Sequence, residues 1–216
     1  MIMSIIKNKN IITEERVSLF VRRFLIGALI VQQFLLYSWY YFNGQFTLRD
    51  ALPLYPCRIS ELLCILVLLK FNKKLFEFLY FWGLFGAGIA LIVPDTSGAG
   101  FPNAMFIQFY LGHVCIVLTI IYVLLNYPLT INKQSFKNSV CTSLLYISFI
   151  ISVNTILGSN YAYLKNPPAP VASMLSFPFP LYVTIYITVI FFVFYIMHIA
   201  YIKNKPKACN TVNLDS

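Results

Sequence analysis

Six runs of apolar residues constrain this chain more than any other feature of its sequence. Each run is about 17–24 residues long, and a helix of that length crosses the ~30 Å hydrocarbon core of a bilayer. Of the 216 residues, 59% are hydrophobic and 11% are charged, well below the charged fraction of soluble domains. The sequence therefore predicts an all-α, polytopic membrane protein. The expected spans are 20–42, 54–70, 75–94, 104–126, 138–157 and 180–202.

These spans divide the chain into three parts. Residues 1–19 form an N-terminal segment, 20–203 form a six-helix transmembrane bundle, and 204–216 form a tail. The first apolar run has no small-residue cleavage site after it, so we interpret it as a retained span and not as a signal peptide. No part of the chain outside the bundle is long enough to fold as a soluble domain.

The positions of the basic residues predict the orientation of the bundle. All but three of the 16 lysines and arginines lie before span 1 or in its first turn, at the turn between spans 2 and 3, between spans 4 and 5, or after span 6. The exceptions are Arg49, Arg58 and Lys165. Since cytoplasmic loops are enriched in these residues, both termini are predicted to be cytoplasmic, in a plasma membrane. The net charge of +9 follows this topology, so we expect no nucleic acid partner.

Three chemically unusual side chains stand at the start of span 2. Cys57 falls in the first helical turn, directly after Pro56. Helix N-termini and adjacent cations favour a thiolate, so Cys57 beside Arg58 is a candidate nucleophile; a packed cysteine is the alternative. Arg58 and Glu61 are spaced i, i+3 and can pair on one helix face. A structural ion pair without a chemical role is the alternative for these two residues.

Other polar residues are expected at a similar depth. His113 is the one histidine expected deep in a span, as a base or as a hydrogen-bonded packing residue. Gln108 precedes it, Asn154 lies in span 5, and Asp95 lies at the mouth of span 3. If these helices are neighbours, one polar cavity opens toward the outer leaflet, while the inner halves are almost purely apolar. Cysteine and histidine are the nucleophile and base of covalent acyl transfer.

The remaining histidine and cysteines carry weaker signals. We expect His198 to be interfacial, because it lies near the inner end of span 6. The cysteines have neither metal-ligand spacing nor a disulfide framework, so nothing predicts a metal or another cofactor. They are Cys57, Cys64, Cys115, Cys141 and Cys209.

Five short motifs follow one another along the chain. They are Leu52-Pro-Leu-x-x-Cys57-Arg58, Phe78-x-Tyr-Phe-Trp-Gly83, Pro94-Asp95 with Gly100-Phe-Pro102, Gln108-x(4)-His113, and Gly158-Ser-Asn-Tyr-x-Tyr163. In this order and spacing they resemble the bacterial YwaF-type integral membrane proteins, which are related to the eukaryotic transmembrane-protein-164 family. The resemblance covers about residues 20–200. The chain departs from many bacterial members at Tyr55, where they have a histidine.

The resemblance implies a lipid acyltransferase. The eukaryotic relatives transfer polyunsaturated acyl chains to lyso-ether-phospholipids, and their proposed catalytic cysteine and histidine correspond to Cys57 and His113. Transfer from the outer leaflet is then expected, with membrane lipid as the partner. The candidate substrate-binding residues are Arg58, Glu61, Asp95, Gln108, Asn154, Asn160 and Tyr161.

Two other functions stay open on the sequence alone. In a transporter, or in a protein that binds a lipid or a small molecule without reaction, Arg58 and Glu61 line a solute site while Cys57 only packs. In an accessory subunit, the chain needs a protein partner. A homo-oligomer is compatible with each of these functions.

Overall fold

The computed structural model describes residues 15–96, 98–172 and 177–203. Those residues contain helices and no strand, which confirms the all-α, polytopic fold. The helices are α1 (Glu15–Phe42), α2 (Pro56–Leu69), α3 (Lys73–Ile92), α4 (Ala104–Asn126), α5 (Lys133–Leu157) and α6 (Phe179–Lys203). Two 3-10 turns, Tyr161–Tyr163 and Ala169–Val171, lie between α5 and α6. The predicted cytoplasmic tail, most of the N-terminal segment and Cys209 lie outside the described residues.

Five of the six helices are long and apolar enough to cross a membrane, and α2 is the exception. It has 14 residues, which gives about 21 Å at ~1.5 Å per residue. The helix is shorter than the expected span 54–70, because the backbone is extended at Tyr55 and again at Lys70.

Two arginines connect the ends of α2 to α1. Arg22 Nη2 donates a hydrogen bond to the Leu69 carbonyl at one end, over 2.8 Å. At the other end, Arg58 Nη2 donates to the Tyr40 hydroxyl. Helix α2 is therefore antiparallel to α1. The two arginine side chains extend the contact between these helices beyond the ends of the short α2 backbone.

Asparagine side chains fix the starts of three helices. Asn72 and Asn103 accept hydrogen bonds from backbone N–H groups in the first turns of α3 and α4. Asn132 forms a capping box at the start of α5. The capped polar turn places the start of α5 at Lys133, before the apolar run 138–157 on which the predicted span was based.

Helix α4 lies at the centre of the bundle, in contact with α1, α2 and α3. Helix α3 also contacts α5 and α6, so it joins that pair to the rest. In the π-helical turn Leu79–Gly83 of α3, a Cβ on Gly83 would lie 3.1 Å from Ile116 Cγ2 of α4. The missing side chain therefore lets the two central helices approach closely.

The start of the connection between α5 and α6 folds into the bundle. We call residues 158–164 the plug, because Ser159, Tyr161, Ala162 and Leu164 are each at most 2% exposed. Ala162 and Tyr163 have φ values of 57° and 54°, a left-handed conformation that non-glycine residues seldom adopt. Such a backbone persists only where its surroundings hold it, and such segments cluster at functional sites.

Candidate functional site

Cys57 lies in the first turn of α2 and faces α3. A Cβ on Gly86 would lie 3.2 Å from Cys57 Sγ, so the sulfur occupies the space that this glycine leaves open. The thiol is free and partly buried. The end of the bundle at which α2 begins is called here the Cys57 end.

His113 lies in α4 and is 6% exposed. Its ring packs on Phe109, with 4.3 Å between the ring centroids, and Nδ1 lies 2.6 Å from the Phe109 carbonyl oxygen. A carbonyl oxygen only accepts, so we assign the proton to Nδ1, which leaves the lone pair on Nε2. Of the hydrogen bonds between described residues, none joins His113 to Cys57.

The Arg58 guanidinium is held by the chain around the start of α2. Nη1 donates to the carbonyl oxygens of Asp50, over 2.9 Å, and Leu52, over 3.3 Å. The charged group also lies 4.9 Å from the ring centroids of both Tyr40 and Tyr55, within cation–π distance. Arg58 therefore fixes the loop before α2 to the helix that follows it.

The predicted ion pair between Arg58 and Glu61 is wrong. Within the described residues, the salt bridge is the one between Lys73 and Glu77. The reason is direction. Arg58 extends back along the loop toward Asp50, whereas Glu61 lies one turn further along α2 and points toward α1 and α4.

Glu61 is 2% exposed and is surrounded by amides. Its Oε2 accepts from Gln33 Nε2 over 2.8 Å. Gln33 also donates to Gln32, and Gln32 donates to Gln108 Oε1, each over 2.8 Å. The other carboxyl oxygen packs so closely on Gly112 that a Cβ there would collide with it. We call Gln32, Gln33, Glu61 and Gln108 the amide network; it joins α1, α2 and α4.

Gln33 also connects the amide network to the outer surface of α1. It lines an open groove of about 600 Å³ whose other walls are mostly aromatic, including Phe34, Tyr37 and Tyr41. A buried carboxyl group without a close cation is costly, and in membrane proteins such a group usually marks a function. Here the carboxyl of Glu61 is one hydrogen bond away from an open groove on the surface of α1.

Asn154 and Tyr161 hold the plug in the bundle. The Asn154 amide donates to the Tyr161 carbonyl over 3.0 Å and accepts from the Tyr161 N–H over 2.7 Å. It also accepts from Ser159 Oγ over 2.8 Å. The Tyr161 hydroxyl donates to the Leu48 carbonyl and accepts from the Leu52 N–H. These hydrogen bonds join Asn154 to the plug, and direct contact of Asn154 with a substrate stays a prediction.

Asn160 fixes the turn in which the chain leaves the plug. Its side chain accepts from the backbone N–H groups of Lys165 and Asn166, and it donates to the Asn166 carbonyl. Direct contact of Asn160 or Tyr161 with a substrate stays a prediction.

Asp95 joins the site through the plug. The Tyr163 hydroxyl donates to Asp95 Oδ2 over 3.0 Å. Burial raises the pKa of the Tyr163 phenol, and the negative charge of Asp95 raises it further, so the phenol keeps its proton and donates. Tyr55, the residue before α2, packs on the plug, with its ring centroid 5.4 Å from that of Tyr163 and 5.3 Å from that of Tyr161.

Apart from Cys57 and His113, the predicted site residues fall into three hydrogen-bonded groups at the Cys57 end: the Arg58 contacts, the amide network, and the plug with Asn154 and Asp95. Gln32 and Gln33 were missed, although two adjacent glutamines inside an apolar run are a visible signal. Tyr146, which donates to the Leu54 carbonyl over 2.7 Å, was also missed, because a lone tyrosine in an apolar span looks like packing. In the described ranges, no three His, Cys, Asp or Glu side chains are placed to hold a metal ion.

The opposite end of the bundle contradicts the expectation that the inner halves are almost purely apolar. Glu77 of α3 is 6% exposed and accepts from Ser135 Oγ over 2.7 Å. Trp82 Nε1 donates to Ser143 Oγ over 2.6 Å. The buried serines Ser135, Ser139 and Ser143 of α5 are spaced four residues apart and so form one polar stripe, which average hydropathy conceals.

His198 is also more buried than predicted. It is 4% exposed, and its ring stacks on Phe136 with 5.5 Å between the centroids. Helix α5 covers this part of α6, and the interfacial position of His198 stays a prediction.

Comparison with protein families decides what kind of protein carries this site. A model of the TMEM164 family matches residues 1–198. The chain belongs to the TMEM164 family. The match confirms the broader family resemblance, and the narrower likeness to YwaF-type proteins is compatible with it. Together with the five apolar helices, it identifies a multi-pass membrane protein. Comparison with curated proteins and with solved structures gives no significant match.

Proposed function

We propose that this TMEM164-family protein is a membrane acyltransferase that carries an acyl chain as a thioester on Cys57. The observation that carries the proposal is the free thiol, held against Gly86 at the start of α2 and beside the buried amide network. A thiol reacts as its thiolate, so the reaction needs a base to take the proton. His113 supplies that base, since its proton lies on Nδ1 and Nε2 keeps its lone pair.

The transfer has two balanced halves. In the first, the Cys57 sulfur attacks the ester carbonyl of a donor lipid, the C–S bond forms, and the C–O bond breaks. The thiol proton passes through His113 Nε2 to the oxygen of the leaving lysolipid. In the second, the hydroxyl of an acceptor lysolipid attacks the thioester carbonyl, a C–O bond forms and the C–S bond breaks. The hydroxyl proton passes through His113 to the released sulfur.

The proposal requires a group between the two catalytic residues, because no hydrogen bond joins them in the described structure. The reacting ester or a water molecule fills that role. Arg58 and Glu61 are positioning residues in this scheme: Arg58 fixes the start of α2, and Glu61 fixes α2 against α1 and α4. Gln108 belongs to the amide network, and Asp95, Asn160 and Tyr161 form hydrogen bonds that fix the plug.

We further propose that the Cys57 end faces the outer leaflet of the plasma membrane, with both chain termini in the cytoplasm. The support is the distribution of basic residues, which cluster at the opposite end of the bundle. The lipid substrates are then those of the outer leaflet.

Lipid remodelling by the purified protein in nanodiscs tests the function. We expect acyl transfer from a phospholipid to a lysophospholipid, with complete loss in Cys57→Ser. A general base contributes ~10²–10⁴-fold, so His113→Ala should slow transfer by about that factor. Cys141→Ser is the matched control, because this cysteine is exposed on α5. Full activity in Cys57→Ser would show that the proposal is wrong.

A binding or transport protein is the second candidate, and the buried carboxyl of Glu61 favours it. In such a protein Glu61 and its amides recognise a lipid or solute, and Cys57 only packs. Ligand binding would then survive in Cys57→Ser and be lost in Glu61→Ala, and solute uptake into proteoliposomes would distinguish transport from binding.

A further inference from the structure

A second polar site lies where α3 and α5 begin, which we call the Glu77 end. Here a cavity of about 320 Å³ opens between the first two turns of α3 and the second and third turns of α5. Its volume is within the ~300–1,000 Å³ range of small-molecule sites. Lys74, Glu77, Asn138, Cys141 and Thr142 are among the residues that line it.

Glu77 lines this cavity and is 6% exposed. It accepts from two neutral donors, Ser135 Oγ over 2.7 Å and Asn138 Nδ2 over 3.3 Å. Lys73 Nζ lies 4.0 Å away, at the limit of an ion pair, on a side chain that is half exposed. A buried carboxylate binds most strongly to a cationic hydrogen-bond donor, because such a donor compensates its negative charge. The cavity beside Glu77 has room for a donor of this kind.

The mouth of the cavity has the opposite charge. Lys74 is exposed and lines the same space. Lys74 lies in the first turn of α3, where the positive end of the helix dipole favours an anion. A ligand with an ammonium group and a phosphate a few bonds apart can pair with both Glu77 and Lys74 in this cavity.

We propose that this cavity binds the head group of an aminophospholipid, with its primary ammonium on Glu77 and its phosphate toward Lys74. A quaternary ammonium group has no N–H to donate to Glu77, and a glycerol head group has no positive charge. Nine residues of α3, roughly 13 Å at ~1.5 Å each, separate Glu77 from Gly86 beside Cys57. The site is therefore separate from the Cys57 end and does not depend on acyl transfer.

Cys141 provides a direct reporter, since it is exposed and lines the cavity. In detergent, the full-length protein is treated with a maleimide, and alkylation of the Cys141 peptide is followed by mass spectrometry. We expect short-chain phosphatidylethanolamine to slow this alkylation at least tenfold. Phosphatidylcholine and phosphatidylglycerol should slow it less than twofold. Glu77→Gln should remove the protection, whereas Lys137→Gln, exposed on the same part of α5, should keep it.

Thr142→Phe is a second variant, because it fills the cavity without removing a hydrogen bond of Glu77. It should abolish the rise in thermal unfolding midpoint that phosphatidylethanolamine produces in the unmodified protein. Equal protection by phosphatidylcholine or phosphatidylglycerol, or full protection in Glu77→Gln, would overturn the proposal. Equal protection by glycerophosphoethanolamine, which lacks acyl chains, would contradict a lipid as the ligand.

Discussion

At the scale of single residues, the two charged groups at the start of α2 have different environments. Arg58 binds carbonyl oxygens and a tyrosine hydroxyl, whereas Glu61 binds glutamines. Sequence spacing predicted that the two would pair, because i, i+3 neighbours share a helix face. Their partners come instead from the loop before α2 and from α1, and spacing along one helix carries no information about such tertiary contacts.

The close contact between Glu61 and Gly112 gives a prediction at this scale. In Gly112→Ala, the new methyl group collides with the Glu61 carboxyl, so the amide network must move. We expect a loss of about 1–3 kcal/mol in the free energy of unfolding, typical of an overpacked core. Reversible denaturation in detergent measures it. Gly88→Ala is the matched control, because a Cβ there meets nothing within 4 Å. Equal stability of the two variants would contradict the packing described here.

At the scale of helices and loops, apolar length predicted most of the fold. It located α1, α3, α4, α5 and α6, because a bilayer requires long helices of that composition. It overestimated α2, where apolar residues continue past the point at which the backbone becomes extended. The plug was not predicted, because its insertion depends on hydrogen bonds between Asn154 and a backbone seven residues away.

The plug gives a prediction at this scale. Asn154→Ala removes the acceptor of the Tyr161 N–H and leaves buried backbone groups without partners. Such a loss costs ~1–3 kcal/mol, so amide exchange at Tyr161 should accelerate by about 10–100-fold. Hydrogen exchange with mass spectrometry over residues 158–164 measures this. In Ser152→Ala, exposed on the same helix, exchange in the plug should not change; acceleration in this variant as well would mean that Asn154 does not hold the plug.

At the scale of the whole molecule, the bundle has two polar ends with different chemistry. One combines a thiol, a histidine and the amide network, and the other combines a carboxylate with a serine stripe and a basic rim. The sequence predicted the first end, because its polar residues interrupt apolar runs at one depth. The second was missed, because Glu77 and its serines lie close to the basic turns that we attributed to topology.

The orientation of these ends is a further prediction. Basic residues cluster at the Glu77 end, so it should face the cytoplasm and the Cys57 end the outside. Reporter fusions at the C-terminus and in the loop after α5 test this in cells. A cytoplasmic signal from the C-terminus and an external signal from the loop are expected, and the reverse pattern would invert the assignment of leaflets.

Trapping of the acyl-enzyme tests the central claim most directly. The full-length protein in nanodiscs is incubated with a donor phospholipid that carries an alkyne-tagged acyl chain, without an acceptor. We expect one tagged chain on the Cys57 peptide, released by neutral hydroxylamine as a thioester is, and slower labelling in His113→Ala. The absence of label on Cys57 under conditions in which the unmodified protein remodels lipids would contradict the account.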